Sequence, residues 1–145
     1  MTVVAVGRAR AEPEGRIVER YLKRIRPTPA LIEIDGRKAR DAEEEWRLIE
    51  ARLPQGAARV VLDERGQDLP TPELARRLAR WRDDGREIAL VIGGAYGLTD
   101  AARASADLLL AFGQATWPHL LVRAMLLEQL YRAQEILAGR PYHHA

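Results

Sequence analysis

The chain has 145 residues, of which 47% are hydrophobic and 30% charged, and this length and balance suit one folded domain with a real core. It contains no cysteine, which excludes disulfides, thiolate catalysis and Cys-ligated metal centres. The formal net charge of +2 does not by itself require a polyanionic partner.

The first apolar run, Val3 to Gly7, is too short and too quickly followed by Arg8 and Arg10 to read as a signal peptide, and no apolar stretch reaches membrane-spanning length, so a cytoplasmic protein is expected. Further strand-like runs follow at Ala30 to Asp35, Arg59 to Asp63, Ile88 to Ile92 and Leu108 to Phe112. Several are continuously apolar, the pattern of strands buried on both faces of a parallel sheet. Helical spacing fills the gaps: Val18, Leu22 and Ile25 after Pro13; Trp46, Ile49 and Leu53; then Leu74, Leu78 and Trp81 between Thr71 and Gly85. The alternation predicts an α/β fold with a mostly parallel sheet flanked by helices, in a single domain over 1–145. Arg16, Arg20, Lys23, Arg24, Arg26, Arg37, Lys38 and Arg40 precede an acidic bunch at Asp41 to Glu45, which suggests either a phosphate-facing surface or an ordinary solvated one.

The last helix, about His119 to Ala138, is apolar over more than half its circumference. Either it is deeply buried in a monomer or a second copy covers it, and a two-fold homodimer is the economical choice.

Chemistry in such a sheet belongs at the carboxyl ends of the strands. Three ends carry glycine: Leu62-Asp63-Glu64-Arg65-Gly66, Gly93-Gly94-Ala95-Tyr96-Gly97, and Gly113-Gln114-Ala115-Thr116-Trp117-Pro118-His119. A neutral purine can be held there by backbone groups alone. There is no dinucleotide or P-loop glycine fingerprint, and the single serine, Ser105, sits between alanines rather than in a nucleophile elbow. His119, His143 and His144 have no carboxylate at ligand spacing, so no metal is expected. His119 and Arg123 share a helix face beside the glycine loop. Arg123 interrupts an apolar stripe and therefore needs either a carboxylate partner or a ligand. The tail, Gly139 to Ala145, brings together cation, aromatic and imidazole, a combination that can stack on a base and contact phosphate.

These segments, with Trp81, Leu121-Val122-Arg123, Glu128-Gln129-Leu130-Tyr131-Arg132-Ala133 and Pro141-Tyr142-His143, resemble the RlmH family across essentially the whole chain. That family comprises bacterial 23S rRNA (pseudouridine-N3)-methyltransferases of the SPOUT superfamily. The resemblance implies a SPOUT fold with a C-terminal trefoil knot, here over about 88–138, a homodimer, and S-adenosyl-L-methionine (AdoMet) as cofactor. Its substrate would be a pseudouridine in the intersubunit hairpin of 23S rRNA on the assembled 70S ribosome. Carried over by motif, AdoMet contacts fall on Leu62, Gly94, Gly113, Gln114, Ala115, Thr116, Trp117 and Pro118. His119, Arg140, Tyr142 and His144 become substrate contacts, His143 a proton acceptor or orienting group, and Arg123 and Arg132 electrostatic contacts to the reacting base. Members of the family tend to end in Pro-Tyr-His-Arg-Glu, whereas this chain ends His144-Ala145, with Arg140 where histidine is usual. Two other functions stay open on the residues: the same chemistry on another RNA such as tRNA, and a ribosome-binding dimer with impaired catalysis.

Overall fold

In a computed structural model, which describes residues 1–144, five strands and five α-helices alternate along the chain. They are β1 (Thr2–Val6), α1 (Pro13–Leu22), β2 (Ala30–Ile34), α2 (Ala42–Glu50), β3 (Ala58–Asp68), α3 (Thr71–Asp83), β4 (Ile88–Ile92), α4 (Asp100–Ala104), β5 (Leu108–Ala111) and α5 (His119–Leu137). All neighbouring strands pair in parallel, in the order β2-β1-β4-β3-β5.

The continuous apolar strands are explained by what covers them. Val3 and Ala5 of β1, Leu90 of β4 and Leu108 and Leu110 of β5 pack with Val18, Leu74, Leu78, Leu126 and Leu127 of α1, α3 and α5. Val4, Val6, Val61 and Val91 turn to the other face, against Trp46 and Ile49 of α2 and Ala102 of α4. Alternate residues of one strand thus enter two different cores, so no position can be polar. The expected helix-flanked sheet is present, and every pairing in it is parallel.

Local chemistry sets several helix starts. Asp41 caps α2 by accepting from the Glu44 amide at 2.8 Å, and Glu43 and Glu44 lie in the first turn, where the helix dipole favours negative charge. Thr99 caps α4, accepting from Ala102 at 3.0 Å. The acidic bunch therefore starts a helix. Much of the adjoining basic run is paired locally: Lys23 with Glu19, Arg37 with Asp35, and Arg40 with Glu44.

Strand β3 departs from the sequence expectation, which ends it at Asp63. Leu62 and Gln67 both lie opposite Leu110, so Asp63 to Gly66 form an excursion before pairing resumes through Asp68. At Gly66 a Cβ would fall 2.7 Å from the backbone of Leu109 and Leu110, and only glycine permits so close a return. Backbone pairing by a polar segment leaves no mark in the hydrophobic pattern, which is why this half of β3 is invisible in the sequence.

Candidate active site

The excursion from β3, the glycine loop after β4 and the loop after β5 enclose a cavity of about 430 Å3 at the carboxyl edge of the sheet. Leu62, Gly94, Gly113, Ala115, Thr116, Trp117, Pro118 and His119 all line it; Gln114 belongs to the same loop but is exposed and not part of the lining. Leu62, Ile92, Leu110, Phe112 and Val122 make its apolar part. The loop after β5 is held in shape by its own contacts. Trp117 Nε1 donates to the Phe112 carbonyl at 2.9 Å, and the Thr116 hydroxyl donates to Glu64 on the β3 excursion, tying two walls together. Asp63, only 6% exposed, is held by Arg103 of α4 at 2.8 Å.

The glycine loop is fixed from behind. Glu45 of α2, 2% exposed, accepts a hydrogen bond from the Gly94 amide at 2.8 Å. A Cβ on Gly94 would fall 2.7 Å from both Glu45 Oε2 and Val6 Cγ1, so the loop can lie this close to β1 only with glycine there. Glu45 is a site residue that sequence reasoning missed, since nothing distinguishes it from the capping acids beside it.

Residues 1–143 match the family described as Predicted SPOUT methyltransferase. The chain belongs to that family. Among curated relatives, Ribosomal RNA large subunit methyltransferase H of Rhodospirillum centenum is 54% identical, over 99% of this chain and 97% of the relative. Proteins of the same name from Cereibacter sphaeroides and Paracoccus denitrificans are 50% and 48% identical, with the same coverage of each chain. Membership of the SPOUT methyltransferases implies a methyl donor, and the three strand ends provide the cavity in which one can sit.

Within this SPOUT chain the remaining predicted site residues divide into two groups. At the start of α5, Arg123 is fully enclosed. Its Nη1 donates to Glu33 at 2.8 Å and its Nη2 to the Val6 and Gly7 carbonyls at 2.9 and 2.8 Å, while Glu33 also accepts from the Ala9 amide at 3.0 Å. Of the two readings for Arg123, the fold supplies the carboxylate. The guanidinium is turned to the Glu33 carboxylate and to the carbonyls at the end of β1, and Arg123 does not line the cavity. His119, one turn earlier, lines both this cavity and a neighbouring one. Burial, with the Arg123 charge adding to it, holds the His119 imidazole below its ordinary pKa, and Glu45 pulls weakly the other way. Burial thus favours the neutral form of the His119 imidazole.

The second group sits at the opposite end of α5. Tyr142 shares a hydrogen bond with Tyr21 at 3.3 Å and donates to Glu128 at 3.1 Å. Arg132 also bonds Glu128, at 2.6 Å, with its guanidinium 4.8 Å from the centre of the Tyr142 ring. Arg140 pairs with Glu135 at 2.7 Å. His143 has a buried Nδ1 without a protein partner, and His144 is exposed. At about 1.5 Å of rise per residue, Glu128 and Glu135 lie roughly 13 and 24 Å along the helix from His119. Arg132 and Tyr142 meet at Glu128 and Arg140 pairs with Glu135, and none of Arg132, Arg140, Tyr142, His143 and His144 lines the cavity of their own chain. No helix is long and apolar enough to cross a membrane, and no cluster of metal-binding side chains occurs among the described residues.

Proposed function

We propose that this protein is an AdoMet-dependent rRNA methyltransferase that modifies N3 of a pseudouridine in the intersubunit hairpin of 23S rRNA on assembled 70S ribosomes. The observation that carries the reading is that seven of the eight residues expected to hold AdoMet line one cavity built by three parallel strand ends. Its relatives, named for methylation of large-subunit ribosomal RNA, support the substrate class.

The residues present fit AdoMet. About 430 Å3 lies within the range of small-ligand sites, roughly 300–1,000 Å3. The apolar lining suits an adenine ring, and the glycine-bearing loops offer backbone groups to its edge without a charged partner. When bound, AdoMet supplies an electrophilic methyl carbon. The protein must hold the acceptor nitrogen about 3–3.5 Å from it and receive the imide proton of the base.

The tail residues reach such a site only in a dimer. A shallow groove along α1 and α5, lined by Ile17, Leu121 and Met125, runs from Phe112 at the cavity to Glu128 at the tail. A two-fold axis through the middle of this groove exchanges its ends, so that the tail of a second copy meets the cavity of the first. In that arrangement His143 of the second copy accepts the proton, and Arg132, Arg140, Tyr142 and His144 contact the RNA. Arg123 acts as a positioning residue, fixing the first turn of α5 and with it His119. The reading also includes a trefoil knot over about 88–138, whose support is membership of the SPOUT methyltransferases. The place of action is the cytoplasm, where assembled ribosomes are.

Mass spectrometry of 23S rRNA from a strain lacking the gene should show loss of one methyl group on a pseudouridine, and purified protein should restore it on 70S ribosomes in preference to free 23S rRNA or tRNA. Restoration on tRNA alone would replace this substrate. Gly94→Val should abolish AdoMet binding in calorimetry, because the added side chain forces the loop off Val6 and Glu45. His143→Ala should lower kcat about a hundredfold, the scale of a lost proton acceptor, with AdoMet affinity unchanged.

A further inference from the structure

A second cavity, of about 770 Å3, adjoins the first and shares Gly94, Ala95 and His119 with it. None of the AdoMet contacts carried over by motif belongs to it except Gly94. Its wall on the β1 and β2 side is made by Val6, Gly7, Arg8, Asp35 and Arg37, and Tyr96 stands on its glycine-loop side. Tyr96 is 51% exposed, the most exposed large hydrophobic side chain, with its hydroxyl donating to the Ala39 carbonyl at 3.4 Å. That bond fixes the rim of the ring while leaving the ring accessible.

The charges of this cavity are unequally engaged. Arg37 grips Asp35 with two bonds of 2.9 and 2.8 Å, and Glu45 is turned inward to the Gly94 amide. Arg8 has no ion-pair partner among the described residues and is exposed. An exposed aromatic face, an exposed arginine that forms no ion pair among the described residues, and an imidazole, all on one concavity, are complementary to one nucleotide: a ring to stack, a phosphate to pair, and carbonyl and imide groups to hydrogen-bond. The shared wall adds a constraint of reach. An acceptor nitrogen must come within about 3–3.5 Å of the donated methyl, so it must enter from a space bordering the first cavity.

We infer that the second cavity is the acceptor subsite: an unpaired RNA base stacks on Tyr96, a phosphate next to it binds Arg8, and the reactive edge of the base lies against the wall of Gly94, Ala95 and His119. This inference rests on the methyltransferase reading above and adds to it where the nucleotide sits in the same chain. The tail of a second copy then closes over a base already seated.

The test compares wild type with Arg8→Ala, Tyr96→Ala, Tyr96→Phe and, as a distant control, Arg82→Ala. Methylation kinetics on 70S ribosomes lacking the modification, AdoMet calorimetry, and ribosome binding without AdoMet at several salt concentrations are measured for each. Arg8→Ala and Tyr96→Ala should raise KM for ribosomes about tenfold, the scale of one lost stacking or phosphate contact, with AdoMet affinity unchanged. Tyr96→Phe keeps the stacking ring but loses the bond to the Ala39 carbonyl and should raise KM less than Tyr96→Ala does, while Arg82→Ala should behave as wild type. Arg8→Ala should also flatten the dependence of log binding constant on log salt by about 0.7, the contribution of one single-strand phosphate. An unchanged KM in both alanine variants overturns the subsite. So does a matching loss of AdoMet affinity, which would assign this cavity to the donor. Wild-type protein that neither binds AdoMet nor methylates ribosomes would instead remove the methyltransferase reading, and the subsite with it.

Discussion

Arg123 is the side chain whose loss the fold should tolerate least. Its guanidinium joins α5 to Glu33 and to the carbonyls at the end of β1, and removing it takes a buried donor from each of them, leaving Glu33 with the Ala9 amide. Glu33 is a quarter exposed at its side chain, so water can partly replace the arginine. Arg123→Met should therefore lower stability by about 3 kcal/mol, at the low end for breaking a buried pair, seen as a fall in the urea midpoint at constant m-value. His119 gives a second prediction at this scale. Its pKa is lowered from 6.5 in the folded protein, so the folded state resists protonation. The corresponding stability is present above pH 6.5 and is lost as pH falls from 6.5 toward the lowered value. An NMR titration of the His119 ring should give a midpoint below 6.5, and His119→Gln should remove that part of the acid sensitivity. The sequence made Arg123 conspicuous as a charge in an apolar stripe, but it could not choose between a carboxylate and a ligand. Glu45 was illegible for another reason: Asp41, Glu43, Glu44 and Glu45 are chemically alike in the chain, and only packing against β1 and β4 turns one of them inward.

Helix α5 lies on the sheet between α1 and α3, whose flanks bury Ala124, Leu126, Leu127, Leu130 and Ala133 within one chain. That cover accounts for much of the apolar circumference that the sequence analysis assigned to a second copy. What it leaves half-buried, Leu121 and Met125 beside Ile17, is the strip on which the proposed dimer depends. Met125→Glu should give a monomer in sedimentation velocity and reduce methylation about a hundredfold, since the tail of one copy then no longer reaches the cavity of another. AdoMet binding to that monomer should survive if the cavity belongs to one chain. Other elements differ in legibility for reasons of length and polarity. Strands β1, β4 and β5 were readable because nearly all their residues are buried and apolar, and β2 because it is mostly apolar although it is less buried and carries Glu33. Helix α4, Asp100–Ala104, is too short to show a helical period, and the second half of β3 pairs through its backbone with polar side chains.

For the molecule as a whole, a dimer joined along α1 and α5 predicts a melting temperature that rises with protein concentration, because association stabilises only the folded chain. AdoMet at about a hundred times its Kd should add about 2.7 kcal/mol of stability by mass action, measured as a further rise in that temperature. By itself the sequence determined the α/β class, the buried parallel strands and the three glycine-bearing strand ends, because burial on both faces and close backbone approach each demand particular residue types. Tertiary structure alone decided the order β2-β1-β4-β3-β5, which places the ends of β3, β4 and β5 side by side around one cavity. It also decided that Arg123 faces Glu33, that Glu45 holds Gly94, and that the tail lies at the far end of α5 from the cavity of its own chain. Those are contacts between residues 49 to 90 positions apart in most cases, and local patterning carries no information about which distant segments the sheet will bring together.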